Sequence, residues 1–142
     1  MITRTASARY DGFGKDGKGH VSTQSGVLAD HPYGFGSRFE SEKGTNPEEL
    51  IAAAHAACFT MALSFALARE GLSAGTLATE AKVKLDKDGD GFKVSRSDLS
   101  LDARVDGIDE ARFREIAEGA KANCPISKLL NAEIGFEWTL NA

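Results

Sequence analysis

Apolar and polar residues alternate along some parts of this chain and recur at helical spacing along others. Over residues 3–10, Thr3, Thr5, Ser7 and Arg9 fall on one side, with Arg4, Ala6, Ala8 and Tyr10 on the other. That period predicts a weakly hydrophobic strand. Gly12, Gly14, Gly17 and Gly19 with Asp16 predict a turn, and His20–Ser25 a second strand closing a hairpin. Residues 30–37 (DHPYGFGS) read as loop, Arg38, Phe39 and Glu40 as a short strand. From Leu50 the period changes. Leu50, Ile51, Ala54, Cys58, Met61, Ala62 and Phe65 share one helical stripe. Thr45 or Asn46 can cap this helix, Pro47 suits its first turn, and Glu48 and Glu49 match its dipole. Gly71 stops it after Arg69–Glu70.

The second half begins with strands. Leu77–Leu85 alternates, with Ala81, Val83 and Leu85 opposite Lys82 and Lys84. The run KDGDG at 87–91 predicts a hairpin turn. Its likeness to a calcium loop fails for want of the later acidic ligands. A return strand spans Phe92–Val105, with an interruption expected near Arg96–Ser97. Asp109 caps a helix whose apolar face is Phe113, Ile116, Ala117 and Ala120; it stops before Asn123 because Pro125 disfavours helix at Cys124. Pro125 opens a short helix through Leu130, and Glu133–Leu140 is the last strand. These elements predict one α+β domain over residues 1–142.

Composition narrows the chemistry. A net charge of −4 gives no basic footprint, so nucleic acid is not expected as a partner. No apolar leader is evident at MITRTASARYDG, and no stretch reads as long and apolar enough to span a membrane, which points to a cytoplasmic protein. His20, His31 and His55 lack metal-ligand spacing, so neither metal nor cofactor is expected. The Gly-rich turn lacks the lysine-serine ending of a phosphate loop.

Two cysteines remain. Cys58 lies on the helix stripe, where a thiol also serves as a small core hydrophobe. Cys124 precedes the Pro125 helix at its cap position, where free N–H groups favour a thiolate. They are 66 positions apart, and the sequence leaves their pairing open.

The segments HVSTQSGVL, YGFGSRFESEKGTNPEELIAAAHAACF and KANCPISKLL resemble the osmotically inducible protein C (OsmC) family and its sister, the organic hydroperoxide resistance (Ohr) branch. The resemblance covers nearly the whole chain. It implies an intertwined homodimer with antiparallel sheets around a long cysteine-bearing helix. It implies a thiol peroxidase acting on organic hydroperoxides. Cys58 falls at the peroxidatic position, Cys124 at the resolving position, and Arg38 with Glu48 at the charged pair attending the thiol. The sister branch carries its arginine in the early glycine-rich turn, where this chain has Lys15 and Lys18. The position of Arg38 therefore resembles the osmotically inducible branch.

The implied chemistry is coherent. A thiolate needs a fixed cation, which Arg38 can supply, and Glu48 can orient Arg38 through a bidentate pair. Cys124 would condense with a Cys58 sulfenic acid to a disulfide. Phe39, Phe59 and Met61 would favour organic peroxides. An external thiol or dithiol must then reduce the disulfide; in the sister branch the resemblance points to lipoyl dithiols. Glu48 and Cys58 lie ten positions apart on one helix, roughly 15 Å along its axis. Their angular offset is about 80°, and side chains lean toward the helix N-terminus. With the implied dimer, this leads to the expectation that Arg38 and Glu48 of one subunit serve Cys58 of the other. Two rivals stand beside this reading. One is a Cys–His hydrolase using Cys58 and His55, three residues apart; His55 otherwise reads as packing or interface structure. The other is a non-enzymatic binder of hydrophobic ligands on the same fold.

Overall fold

The N-terminal alternation becomes a hairpin. In the computed structural model, which describes residues 1–142, β1 (Ala6–Asp11) and β2 (Lys18–Thr23) pair antiparallel from Ala6↔Thr23 to Asp11↔Lys18. A single 3₁₀ turn at Gly14–Asp16 joins them. A third strand, β3 (His31–Tyr33), pairs antiparallel with β2. A Cβ at Gly19 would lie 2.6 Å from the Tyr33 ring, so the glycine leaves room for that ring on β2.

Two local expectations change here. The loop 30–37 holds β3 and the start of a helix, α1 (Phe35–Phe39), so Arg38 and Phe39 are helical rather than extended. Three alternating residues say little against local hydrogen bonding. The Ser37 hydroxyl accepts from the Gly34 N–H at 3.0 Å and donates to the Thr45 carbonyl at 2.8 Å. These bonds fix a turn of helix where a strand was expected.

The backbone divides into two compact units, Met1–Leu50 and Ile51–Ala142, where the sequence reads as one domain. Helix α2 (Pro47–Arg69) begins in the first and continues in the second. Its start is as the sequence requires: Asn46 Oδ1 accepts from the Glu49 N–H at 2.8 Å, and Thr45 Oγ1 donates to the Glu49 carboxylate at 2.8 Å. Its buried stripe is not the expected one. His55, Phe59, Leu63 and Leu67 point inward, Cys58 and Ala62 flank them, and Met61 and Phe65 are exposed. The helix is apolar nearly all round, so periodicity alone offers little contrast between faces. The same property corrects the membrane expectation. These 23 residues reach a mean hydropathy of 1.9 in their most apolar window, so by length and composition α2 could cross a membrane. Alanines that are individually neutral to the eye sum to that value.

In the second unit, β4 (Gly75–Asp88) and β5 (Gly91–Val105) form a long antiparallel hairpin through the Asp88↔Gly91 pair. Gly89 takes a φ of 62° in the turn, which glycine adopts without strain. The interruption expected near Arg96–Ser97 is a bulge: Lys84 pairs with Arg96 but Leu85 with Val94, leaving Ser95 between them. The bulge shifts the facing of the strand so that Ser97, Leu99, Leu101, Ala103 and Val105 all turn inward. Helix α3 (Glu110–Asn123) is capped by Asp109, which accepts from the Arg112 N–H at 2.8 Å, and buries Phe113, Ile116, Ala117 and Ala120. It extends through Asn123, and Cys124 ends it and starts α4 (Pro125–Leu129). The last strand, β6 (Glu133–Leu140), runs parallel to β5. That one edge departs from the antiparallel expectation, because the chain crosses over through α3 and α4 before returning. Phe113 packs on Trp138 and Phe59 on Phe136, with ring centroids 5.2 Å apart in both pairs. The core thus lies between α2, α3 and the β4–β5–β6 sheet.

Candidate active site

In the first unit, α1 carries Arg38 and the first turn of α2 carries Glu48. Asn46 Nδ2 donates to the Ser37 carbonyl at 3.0 Å and holds the two helix segments together. Arg38 then donates twice to Glu48, Nε to Oε1 at 2.9 Å and Nη2 to Oε2 at 3.1 Å. Such a fork fixes the guanidinium plane as well as its position. The glutamate is 12% exposed at its side chain and the arginine 37%, so the cation keeps a face open.

The second unit holds both cysteines. Cys58 is half-buried on α2 and Cys124 fully buried at the junction of α3 and α4; both are free thiols. The two thiols are close enough to act on each other, and the Ile126 amide at the start of α4 favours the charged form of both. Burial pushes the Cys58 thiol up, and Cys124 adds to the rise, against the Ile126 amide. Burial acts upward on Cys124 too, but Cys58, the Ser127 amide and hydroxyl, and the Ile126 amide outweigh it and leave that thiol below its ordinary value. Within the second unit, the Ile126 amide is the group that favours the Cys58 thiolate.

His55 sits one turn before Cys58 with no solvent exposure. Its Nδ1 lies 2.6 Å from Ser97 Oγ on β5, and its Nε2 lies 2.8 Å from Ser127 Oγ on α4. Burial lowers its pKa, which favours the neutral ring. With both nitrogens engaged by serines, the ring is not available to deprotonate Cys58, and the Cys–His hydrolase reading falls. His55 is held in the interior by these two bonds, and the serines are the residues that sequence reasoning missed. The one signal was that a histidine in an apolar helix must find buried partners, which does not say which residues those are.

Comparison with known proteins places these residues in context. Residues 40–139 match the family model described as OsmC-like protein. The chain is 50% identical to the peroxiredoxin OsmC of Escherichia coli (strain K12) over 141 residues, 99% of each chain. It is 30% identical to the organic hydroperoxide resistance protein OhrB of Bacillus subtilis (strain 168) over 118 residues, 82% of this chain and 84% of that one. The crystal structure of Bacillus subtilis OhrB superposes with a TM-score of 0.73, covering 97% of this chain and 98% of that chain at 30% identity.

The neutral buried histidine makes a prediction about stability. Unfolding restores an ordinary pKa near 6.5 to His55. Below that pH the unfolded chain binds a proton that the folded chain refuses, so this group's contribution to stability falls as pH drops. The loss is at most about 1.4 kcal/mol per pH unit. Urea unfolding of wild-type protein and a His55→Gln variant between about pH 7.5 and 5 should show the wild-type advantage shrinking with acidity. A difference that stays constant across that range contradicts the assignment.

Proposed function

This chain belongs to the OsmC-like protein family, and on that premise we propose that it is a thiol-dependent peroxidase that reduces organic hydroperoxides to alcohols. The observation that carries the reading is a pair of free thiols that act on each other, one half-buried and one buried, in a chain that also prepares a fixed Arg38–Glu48 fork. The Cys58 thiolate attacks one peroxide oxygen, the O–O bond breaks, and alkoxide leaves and takes a proton. Cys58 becomes a sulfenic acid. Cys124 then forms the S–S bond and water leaves. An external thiol or dithiol reduces the disulfide, and a lipoyl dithiol fits that requirement. A reducing compartment such as the cytoplasm suits such a cycle.

Cys58 must ionise before it attacks, and burial opposes that, so a cation beside it would aid the step. Arg38 is the candidate, supplied by a second copy of the chain. The exposed Met61 and Phe65 of α2 support a dimer, since they border an apolar groove of about 730 Å³ that includes Leu72 and Leu77. The same groove favours a second reading, a non-enzymatic binder of hydrophobic ligands.

A peroxidase assay separates the two. Cumene hydroperoxide should be turned over faster than hydrogen peroxide, with dithiols outperforming monothiols as reductants. Cys58→Ser should abolish turnover and Cys124→Ser should stop catalytic cycling. Ligand binding that survives both substitutions, with no peroxide consumed by the wild type, favours the binder. Subunit exchange tests the cation. Arg38→Ala and Cys58→Ser homodimers should each be nearly inactive, whereas their heterodimers should regain one working site. Heterodimers that form but stay inactive would place the charged pair with its own chain's thiol.

A further inference from the structure

His55 is connected to the thiol pair through Ser127. Cys124 and Ser127 occupy the cap and third positions of α4, the spacing at which the two side chains of a helix start face each other. Ser127 Oγ lies 2.8 Å from His55 Nε2 and, across the start of α4, favours the charged form of Cys124. Ser97, on the other side of the ring, is fully buried and contacts Nδ1. Three elements therefore meet at one imidazole: α2, which also bears Cys58, β5, and α4, which bears Cys124 at its start.

We propose that Ser97–His55–Ser127 is a hydrogen-bond relay that aims the Ser127 hydroxyl at Cys124 Sγ and readies that sulfur to attack oxidised Cys58. His55 and Ser127 are thus positioning residues for disulfide closure, and the inference rests on the peroxidase reading above. A neutral imidazole has one donor and one acceptor. When Cys124 is a thiolate, Ser127 must donate to it. The Ser127 oxygen then accepts from Nε2–H, and Nδ1 accepts from the Ser97 hydroxyl. Every polar group in the buried chain is satisfied in that arrangement. The groups acting on Cys124 are Cys58 from α2, the α4 amides and Ser127, with no charged side chain among them. The relay therefore carries weight that a nearby cation would otherwise supply.

The step balances without another reactant. The Cys124 electron pair forms the S–S bond while the S–O bond of the Cys58 sulfenic acid breaks. Cys124 sulfur is oxidised and Cys58 sulfur reduced. The departing hydroxide takes the proton that Cys124 gave up and leaves as water.

The test compares wild type with Ser127→Ala, Ser127→Thr, His55→Leu and His55→Gln. One equivalent of cumene hydroperoxide is added, and sulfenic acid and disulfide are quenched and quantified by mass spectrometry over time. Removing a hydrogen bond to a charged sulfur should slow closure relative to Cys58 oxidation on the order of tenfold. Sulfenic acid should accumulate in Ser127→Ala and His55→Leu. Ser127→Thr and His55→Gln, which keep a hydroxyl on Cys124 or a polar partner for Ser127, should recover most of the rate. In a Cys58→Ser background, Ser127→Ala should move the alkylation of Cys124 to higher pH by about one unit, a change that a purely structural role would not produce. Closure and alkylation both unchanged in Ser127→Ala would overturn the relay, as would slow closure in His55→Leu alone. Wild-type protein that forms no disulfide would overturn the peroxidase reading, and this role for the relay with it.

Discussion

A histidine ring sealed from solvent must find hydrogen bonds inside the protein, because a buried polar group without partners costs on the order of 1–3 kcal/mol. His55 meets that requirement with one serine from β5 and one from α4. Both partners come from elements far from α2 in sequence, so satisfying the ring also fixes the sheet and the α4 turn against the helix. Cys58 is three residues along that helix, and Cys124 begins α4. The proximity of the two sulfurs thus follows from where one imidazole can be satisfied. The apolar contacts of Phe59, Leu63 and Phe113 add most of the burial around it, but they do not specify which turn of α4 faces which turn of α2.

The electrostatics divide in the same way. Helix amides and a hydroxyl stabilise negative charge on Cys124, while burial holds the proton on Cys58. Arg38, in the first unit, is held on Glu48 and stays partly open. Preforming the fork on Glu48 removes the conformational freedom that a lone arginine would lose on binding. In the mechanism proposed above, a second copy of the chain brings that fork to the reactive thiol.

Much of the fold could be read from period and punctuation. The Asp109 cap, the face of α3, the start of α4 and the bounds of β6 follow from short rules whose residues lie close together. The start of α2 follows from Asn46, Pro47 and Glu49. What could not be read depends on contacts distant in sequence. The buried face of α2 shifted because every face of that helix is apolar, and only the sheet decides which one is covered. Arg38 became helical because Ser37 bonds to Gly34 and Thr45. The parallel edge at β6 depends on the crossover, which no local pattern encodes. At the site, the cysteines and the Arg38–Glu48 pair were visible as residue types in a motif. Ser97 and Ser127 were not, because serine is common and only a partner 42 or 72 residues away gives these two their meaning.

The central claim is that one chain folds its two cysteines into a working redox pair. Reduced protein treated with one equivalent of cumene hydroperoxide, alkylated, digested without reductant and mapped by mass spectrometry tests it most directly. Isotope-mixed dimers distinguish bonds within a chain from bonds between chains. The account predicts a Cys58–Cys124 disulfide within single chains. Disulfides found only between chains, or Cys124 left reduced while Cys58 advances to higher oxides, would contradict it.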